Sequence, residues 1–358
     1  MRQMNRLVLV SLVALAAIVL SACGSPGSSA SWPGLTADAE QAYLASGSFV
    51  YAIRLSDGAK AWQYPDKAGP QHFYAPPVLT PDGQLLVGSA GTDGGLTSLD
   101  PESGQTKWAA PFLATDHWVA SPLVVQDTIY AANNNGTLYA LDLGSGRLQW
   151  SLPLGSSLWG APITNGKLIF ATSLDHRLYA VDPVAHKLAW KLDLGGSAAS
   201  GASVSADGTT VFVGSFAKKV LGVEAASGRV RWTADVSDWV WGTPAVDGDS
   251  VYAADLSGGI FSLGAPNGKN AWPVLQPDGP ITASPVVLPN GILVATESGT
   301  VFAYDRTGSN LWEAVVGGKI YTTPAVSGDR IAVAPLNADF LLAALSPDGK
   351  LVWKFTGK

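Results

Sequence analysis

The chain has 358 residues, 47% of them apolar and only 14% charged, with 40 glycines and 23 prolines. That composition supports a large core built from many short strands and tight turns. The formal charge is −6 and becomes −8 once a leader carrying Arg2 and Arg6 is removed. An acidic chain without basic runs argues against nucleic acid and against flat adsorption on an anionic membrane, and a lone cysteine excludes a disulfide framework.

The first element is a leader. Arg2 and Arg6 precede the apolar run Leu7 to Leu20, and Ser21-Ala22-Cys23-Gly24 follows. A basic start, a short apolar stretch and small residues at the cut read as a secretion signal over 1–22. The run is shorter than the roughly 20 residues a membrane span needs. The sequence LSAC resembles the lipobox of bacterial lipoproteins, which implies cleavage before Cys23 and acylation of its thiol. Residues 23–31 continue as a glycine- and serine-rich tether, and 32–358 form the folded part. A lipid on Cys23 would hold that part at a membrane surface.

From Trp32 onward the chain is periodic. Eight tryptophans, Trp62, Trp108, Trp150, Trp190, Trp232, Trp272, Trp312 and Trp353, close similar segments spaced 40 to 46 residues apart. The clearest copies are SLDPESGQTKW (98–108), ALDLGSGRLQW (140–150), AVDPVAHKLAW (180–190) and GVEAASGRVRW (222–232). Within the fourth copy, APIT (161–164), KLIFAT (167–172), RLYAVD (177–182) and KLAWKL (187–192) alternate apolar and polar positions between turn residues. That is the pattern of a four-stranded antiparallel meander. Eight such meanders predict an all-β, eight-bladed β-propeller. Each repeat tryptophan is expected to dock between blades, at a cost of roughly 3–5 kcal/mol on truncation if buried. All eight copies contain four strands, so the ring is expected to close without exchanging a strand between the termini.

The repeat A-x-D-x-x-[ST]-G-x-x-x-W resembles the tryptophan-docking motif of the quinoprotein-type (PQQ-like) β-propellers over nearly all of 32–358. Arg54 and Gly264 stand where Asp is usual, and copies seven and eight are one residue shorter. Lipidation, length and blade number together resemble the BamB family of lipoproteins, which serve the outer-membrane β-barrel assembly machine.

The predicted topology sorts residues by face. Crossings from strand D to strand A share one face with the B–C hairpins; the A–B and C–D turns occupy the other. The five remaining tryptophans, Trp32, Trp118, Trp159, Trp239 and Trp241, fall in segments approaching strand A. So do His72, Phe73, Tyr74, His117 and Tyr321. The B–C hairpins add Asn133, Asn134, Asn135, Asp175, His176, Lys218, Lys219, Asp255, Glu297 and Asp339. The expectation is an aromatic funnel with a polar rim, a composition found at ligand pockets and interfaces; large side chains there could equally just narrow the channel. His72, His117 and His176 lie on separate blades, too far apart to meet ligand distances of about 2.1 Å, so no metal site is expected. His186 is expected to be merely exposed, on the opposite face.

The resemblance to quinoproteins implies pyrroloquinoline quinone (PQQ) and calcium as cofactors and an aspartate base. Against that reading, the chain is short for such an enzyme, cannot form a vicinal disulfide, and offers only Glu297 among glutamates on the funnel face, where calcium takes 6–8 oxygens. GTDGG (91–95) reads as a hairpin turn rather than a phosphate loop. The expected function is therefore non-catalytic: a membrane-anchored scaffold without cofactor or metal, presenting one face to envelope proteins or unfolded clients. Captured strands would pair by β-augmentation onto aromatic anchors. A PQQ-dependent oxidoreductase and a surface sensor or carbohydrate binder are the alternatives. The propeller would be monomeric within a larger complex. It would lie on the periplasmic side of the outer membrane in a two-membrane cell, or outside the cell membrane otherwise.

Overall fold

A computed structural model describes residues 32–91 and 94–357. The leader, Cys23, the tether, and Thr92 and Asp93 of the GTDGG turn lie outside the described residues. Thirty-one strands form eight antiparallel sheets, each from one continuous stretch of chain, giving blades 1 to 8 in sequence order. Blade 4 is typical: Ile163–Thr164, Ile169–Thr172, Arg177–Asp182 and Lys187–Asp193, paired in that order. No helix among the described residues is long and apolar enough to cross a membrane.

Seven blades have four strands, and blade 6 has three. Its outer segment is held to the third strand by isolated bridges, Leu263 to Asn270 and Ile260 to Leu275. Pro273 directly follows the docking residue Trp272 and supplies no N–H to a ladder. The fourth element is thus present but irregular.

The repeat motif explains blade-to-blade docking. Opposite each tryptophan on strand C stands a small residue: Ala52, Ala140, Ala180, Gly222, Ala303 or Ala344 in the six blades with regular pairing there. A bulge in strand D directly before the ring accompanies each pairing and re-aims it. In blades 1, 2, 4, 5 and 7 the indole Nε1 donates to the next blade: Trp62 to the Pro101 carbonyl (2.8 Å), Trp108 to Leu143 (3.0 Å), Trp190 to Ala225 (3.0 Å), Trp232 to Ala265 (2.7 Å) and Trp312 to Pro347 (2.9 Å). In every case the acceptor directly follows the motif's aspartate position. That aspartate ties the turn by accepting N–H bonds, as Asp100 does from Ser103 (2.8 Å) and Asp305 from Thr307 (2.8 Å).

The motif glycine lies under the neighbouring ring. Gly104 adopts φ +72°, and a Cβ there would come within 2.7 Å of the Trp62 indole. Glycine meets both demands without strain. Blade 4 departs from this: His186 takes the glycine's place at φ 52° and stacks on Trp150, with centroids 5.0 Å apart. His186 is exposed as expected, yet it also completes a docking contact.

Alternate side chains of facing sheets fill apolar layers between blades. Leu86, Leu96, Trp108, Trp118, Ile129 and Leu141 form one such layer between blades 2 and 3. The closing layer joins Leu44, Tyr51 and Ile53 of blade 1 to Ala332, Leu342 and Phe355 of blade 8. Trp353 donates to the Leu55 carbonyl (2.9 Å) across this seam, and Thr322 to that of Pro33. Blade 1 and blade 8 each keep all four of their own strands, so packing and hydrogen bonds close the ring.

Candidate functional site: the aromatic mouth

Seven segments that approach strand A within the ring obey a two-residue alternation. The first residue turns into the layer between blades: Phe73, Trp118, Leu158, Ala198, Val240, Ile281 and Ile320 are all buried. The next is Tyr74, Val119, Trp159, Ala199, Trp241, Thr282 or Tyr321. Four of these are aromatic, and all four are half-buried at the mouth. Two expected funnel residues therefore belong elsewhere. Phe73 and Trp118, each 1% exposed, are core. Trp118 packs edge-on against Tyr139 at 5.8 Å. A Cβ on Gly88 would lie 2.7 Å from that of Trp118. The indole ring is therefore tied into the layer between blades 2 and 3 and cannot present itself to a ligand.

The remaining aromatics divide into two groups. Five rings from blades 1, 5, 6 and 8 form a ladder. Tyr321 stacks on Trp32 (5.3 Å, 9°), Trp32 meets Trp241 edge-on (5.2 Å, 65°), Trp241 touches Phe216 (5.2 Å), and Phe216 stacks on Trp239 (4.9 Å, 12°). Trp32 and Trp239 are 40% and 44% exposed. Phe216 escaped the sequence reading. It sits in the blade 5 B–C hairpin, where only polar residues were sought, although a large ring in Ser215-Phe216-Ala217-Lys218 was a legible signal.

On blades 2 to 4 hydrogen bonds dominate. His72 stacks on Tyr74 (6.2 Å, 7°). Asn134 donates to Asp116 Oδ2 (2.9 Å) and accepts from Trp159 Nε1 (2.7 Å), linking the approaches of blades 3 and 4. His117 is exposed beside them. Its Nδ1 accepts from the Gly91 N–H at 3.4 Å.

Much of the expected polar rim is structural. Asn133 is buried, donating to the Asp116 and His117 carbonyls (3.0 and 3.1 Å). Asp255 is buried too, accepting from the N–H groups of Ser257, Gly259 and Asp238 (3.0, 2.9 and 2.8 Å). Burial of Asp175 works against its charge. Hydrogen bonds from Tyr179 and Ser173 and the nearby Arg177 outweigh this and hold the carboxyl below the usual range. Asp278 accepts from Thr296 (2.7 Å) and Thr300 (2.6 Å), and Asp238 pairs with Lys218 at 3.2 Å.

Asp255 and Asp278 spend both carboxylate oxygens on hydrogen bonds, which leaves few for a calcium ion that takes 6–8, while Asp175 Oδ1 is buried without a partner. Among the described residues no three of His, Cys, Asp and Glu converge in a set able to hold a metal ion. His72, His117 and His176 stay on separate blades.

Eight radial sheets pinned by interlocking repeat tryptophans define a quinoprotein-type, PQQ-like repeat propeller. Along 19–191, 175–290 and 257–358 the chain matches the family model described as "Outer membrane protein assembly factor BamB", and it belongs to that family. The assembly factor BamB of Burkholderia pseudomallei (strain K96243) is 23% identical over 265 residues, 71% of this chain and 58% of that protein. Tetrathionate hydrolase of Acidithiobacillus ferrooxidans is 26% identical over 152 residues, 42% of this chain and 27% of that one. The chain thus spans 27% and 58% of the lengths of these two curated relatives. The crystal structure of BamB from Moraxella catarrhalis shares the fold, with a TM-score of 0.69 at 18% identity over 84% of this chain and 92% of that one.

Proposed function

We propose that this chain is a non-catalytic, membrane-anchored scaffold of the BamB kind, exported and held by a lipid on Cys23, which offers its mouth to envelope proteins or unfolded client chains. Membership of the assembly-factor family along 19–358 carries the reading. The blade 2–4 side of the mouth supplies suitable chemistry: a rigid indole, Trp159, oriented by Asn134, with exposed His117 beside it. Rigid aromatics flanked by polar groups make interface anchors. Exposed outer strands of a client could add by main-chain pairing.

The scaffold is proposed to work without quinone or calcium, and the engagement of Asp255 within its own hairpin, of Asp278 by Thr296 and Thr300 and of Asp238 by Lys218 supports this. Similarity to a tetrathionate hydrolase keeps an enzymatic alternative concrete. Dye reduction after addition of PQQ and calcium tests it, and turnover above background would revive it.

The direct test is copurification of the native lipoprotein with and without the double substitution Trp159→Ala and His117→Ala. Loss of envelope partners is expected from a protein that still unfolds cooperatively, with only a modest fall in midpoint from the lost Trp159–Asn134 bond. Partners retained at wild-type levels would overturn the assignment of this side of the mouth.

A further inference from the structure

The ladder on blades 1, 5, 6 and 8 differs from the hydrogen-bonded side of the mouth. Trp239 is backed by Phe216 on one face, Trp32 by Tyr321, and both remain substantially exposed. An indole held rigid with a free face is amphipathic and prefers the headgroup level of a bilayer. Lys218 pairs with Asp238, Asp278 keeps its charge while bonded to two threonines, and Lys319, two residues before Tyr321, is exposed, so the charges nearby are few and of both signs. The patch therefore offers indole area rather than a cationic field.

Covalent connectivity bears on this patch as well. Trp32, itself a rung of the ladder, follows Cys23 by nine residues. At most ~3.6 Å per residue, nine residues reach about 30 Å. The opposite face lies farther off by the length of a blade strand; six residues such as Arg177–Asp182 span roughly 20 Å. A nine-residue link can span either distance, but because the chain enters the propeller at the ladder itself, an acyl group on Cys23 would present the ladder with the less extended, entropically cheaper link.

We propose that the ladder is a membrane-contact surface, with Trp32 and Trp239 in the headgroup layer of a zwitterionic phospholipid bilayer. The blade 2–4 side of the mouth is left over water for partners. This rests on the lipid anchoring proposed above. Since the contact is not coulombic, it persists at high salt.

The test uses the mature lipoprotein purified from membranes and reconstituted into phosphatidylcholine–phosphatidylethanolamine vesicles carrying a headgroup nitroxide. One fluorophore is attached after Ser237→Cys, beside the ladder, or after Ala226→Cys, on the blade 5 C–D turn; both sites are exposed. The Ser237 label should be quenched several-fold more strongly than the Ala226 label. Combining Trp32→Ala with Trp239→Ala should bring it down toward the Ala226 value, at low and high salt alike.

Equal quenching at both sites, or quenching indifferent to loss of the two indoles, overturns the proposal. So does a Ser237 label shielded by a copurifying protein instead of being quenched by lipid. Mass spectrometry of the N-terminal peptide separates the premises. An unacylated Cys23 overturns the anchoring and the ladder contact together, whereas an acylated protein with equal quenching overturns the ladder contact alone.

Discussion

Replacing Gly104 by alanine tests the docking motif, with a matched control in the same blade. Gly83 and Gly104 adopt φ +74° and +72°, so alanine bears the same left-handed penalty at each, about 1–2 kcal/mol. It also brings the same unfolded-state gain of roughly 0.4–1 kcal/mol. Their surroundings differ. A Cβ at Gly83 meets nothing within 4 Å, whereas at Gly104 it lies 2.7 Å from the Trp62 ring. That ring is held from both sides: its Nε1 bonds the Pro101 carbonyl and its other edge packs near Tyr43 at 6.0 Å. It cannot retreat without breaking the bond. Overpacking of this kind costs about 1–3 kcal/mol, so Gly104→Ala should exceed Gly83→Ala by that amount. Urea unfolding of the mature chain measures the difference as a midpoint shift at unchanged slope. Equal midpoints for the two variants would refute the claim that glycine is required by the neighbouring indole.

Three further outcomes follow from the geometry. Trp118→Ala should destabilise by roughly 3–5 kcal/mol, while Trp239→Ala should stay within about 0.5 kcal/mol; thermal unfolding separates core from surface. Hydrogen bonds from Arg229 and Ser227 lower Glu224 to about 2. Those from Ser103 and Thr307 lower Asp100 and Asp305. Their folded values lie below the unfolded ones near ~4, so the stabilisation is complete above that pH and is lost as pH falls through the folded values. The melting temperature should thus drop below about pH 4, and Asp305→Asn should flatten part of that slope. His186→Gly, which restores the repeat residue, should leave the fold intact and bring Trp150 fluorescence toward that of its docked counterparts; a large loss of stability would show that the His186 ring does more than replace glycine.

Blade number and the docking tryptophans were legible because repetition fixes their register: eight copies of one motif point eight indoles at the same structural position. The fourth strand of blade 6 was legible only as a position, since Pro273 breaks its ladder. The mouth was harder to read. Segments approaching strand A lie outside regular pairing, so the phase of their alternation is set by packing against neighbours. Phe73 and Tyr74, or Trp118 and Val119, therefore look interchangeable in sequence although one turns inward and the other outward. The rim was over-read for a related reason: Asn133 and Asp255 are polar residues at hairpins, and hairpins consume such groups internally.

The proposed scaffold role has this propeller meet other envelope proteins through the blade 2–4 side of its mouth. A photocrosslinking residue at His117 or at Val184 tests it in cells; Val184 is 87% exposed on the opposite C–D turn. Crosslinks to envelope proteins at His117 and few or none at Val184 are predicted. The reverse pattern, or equal labelling at both sites, would show that partners do not dock on this side of the mouth.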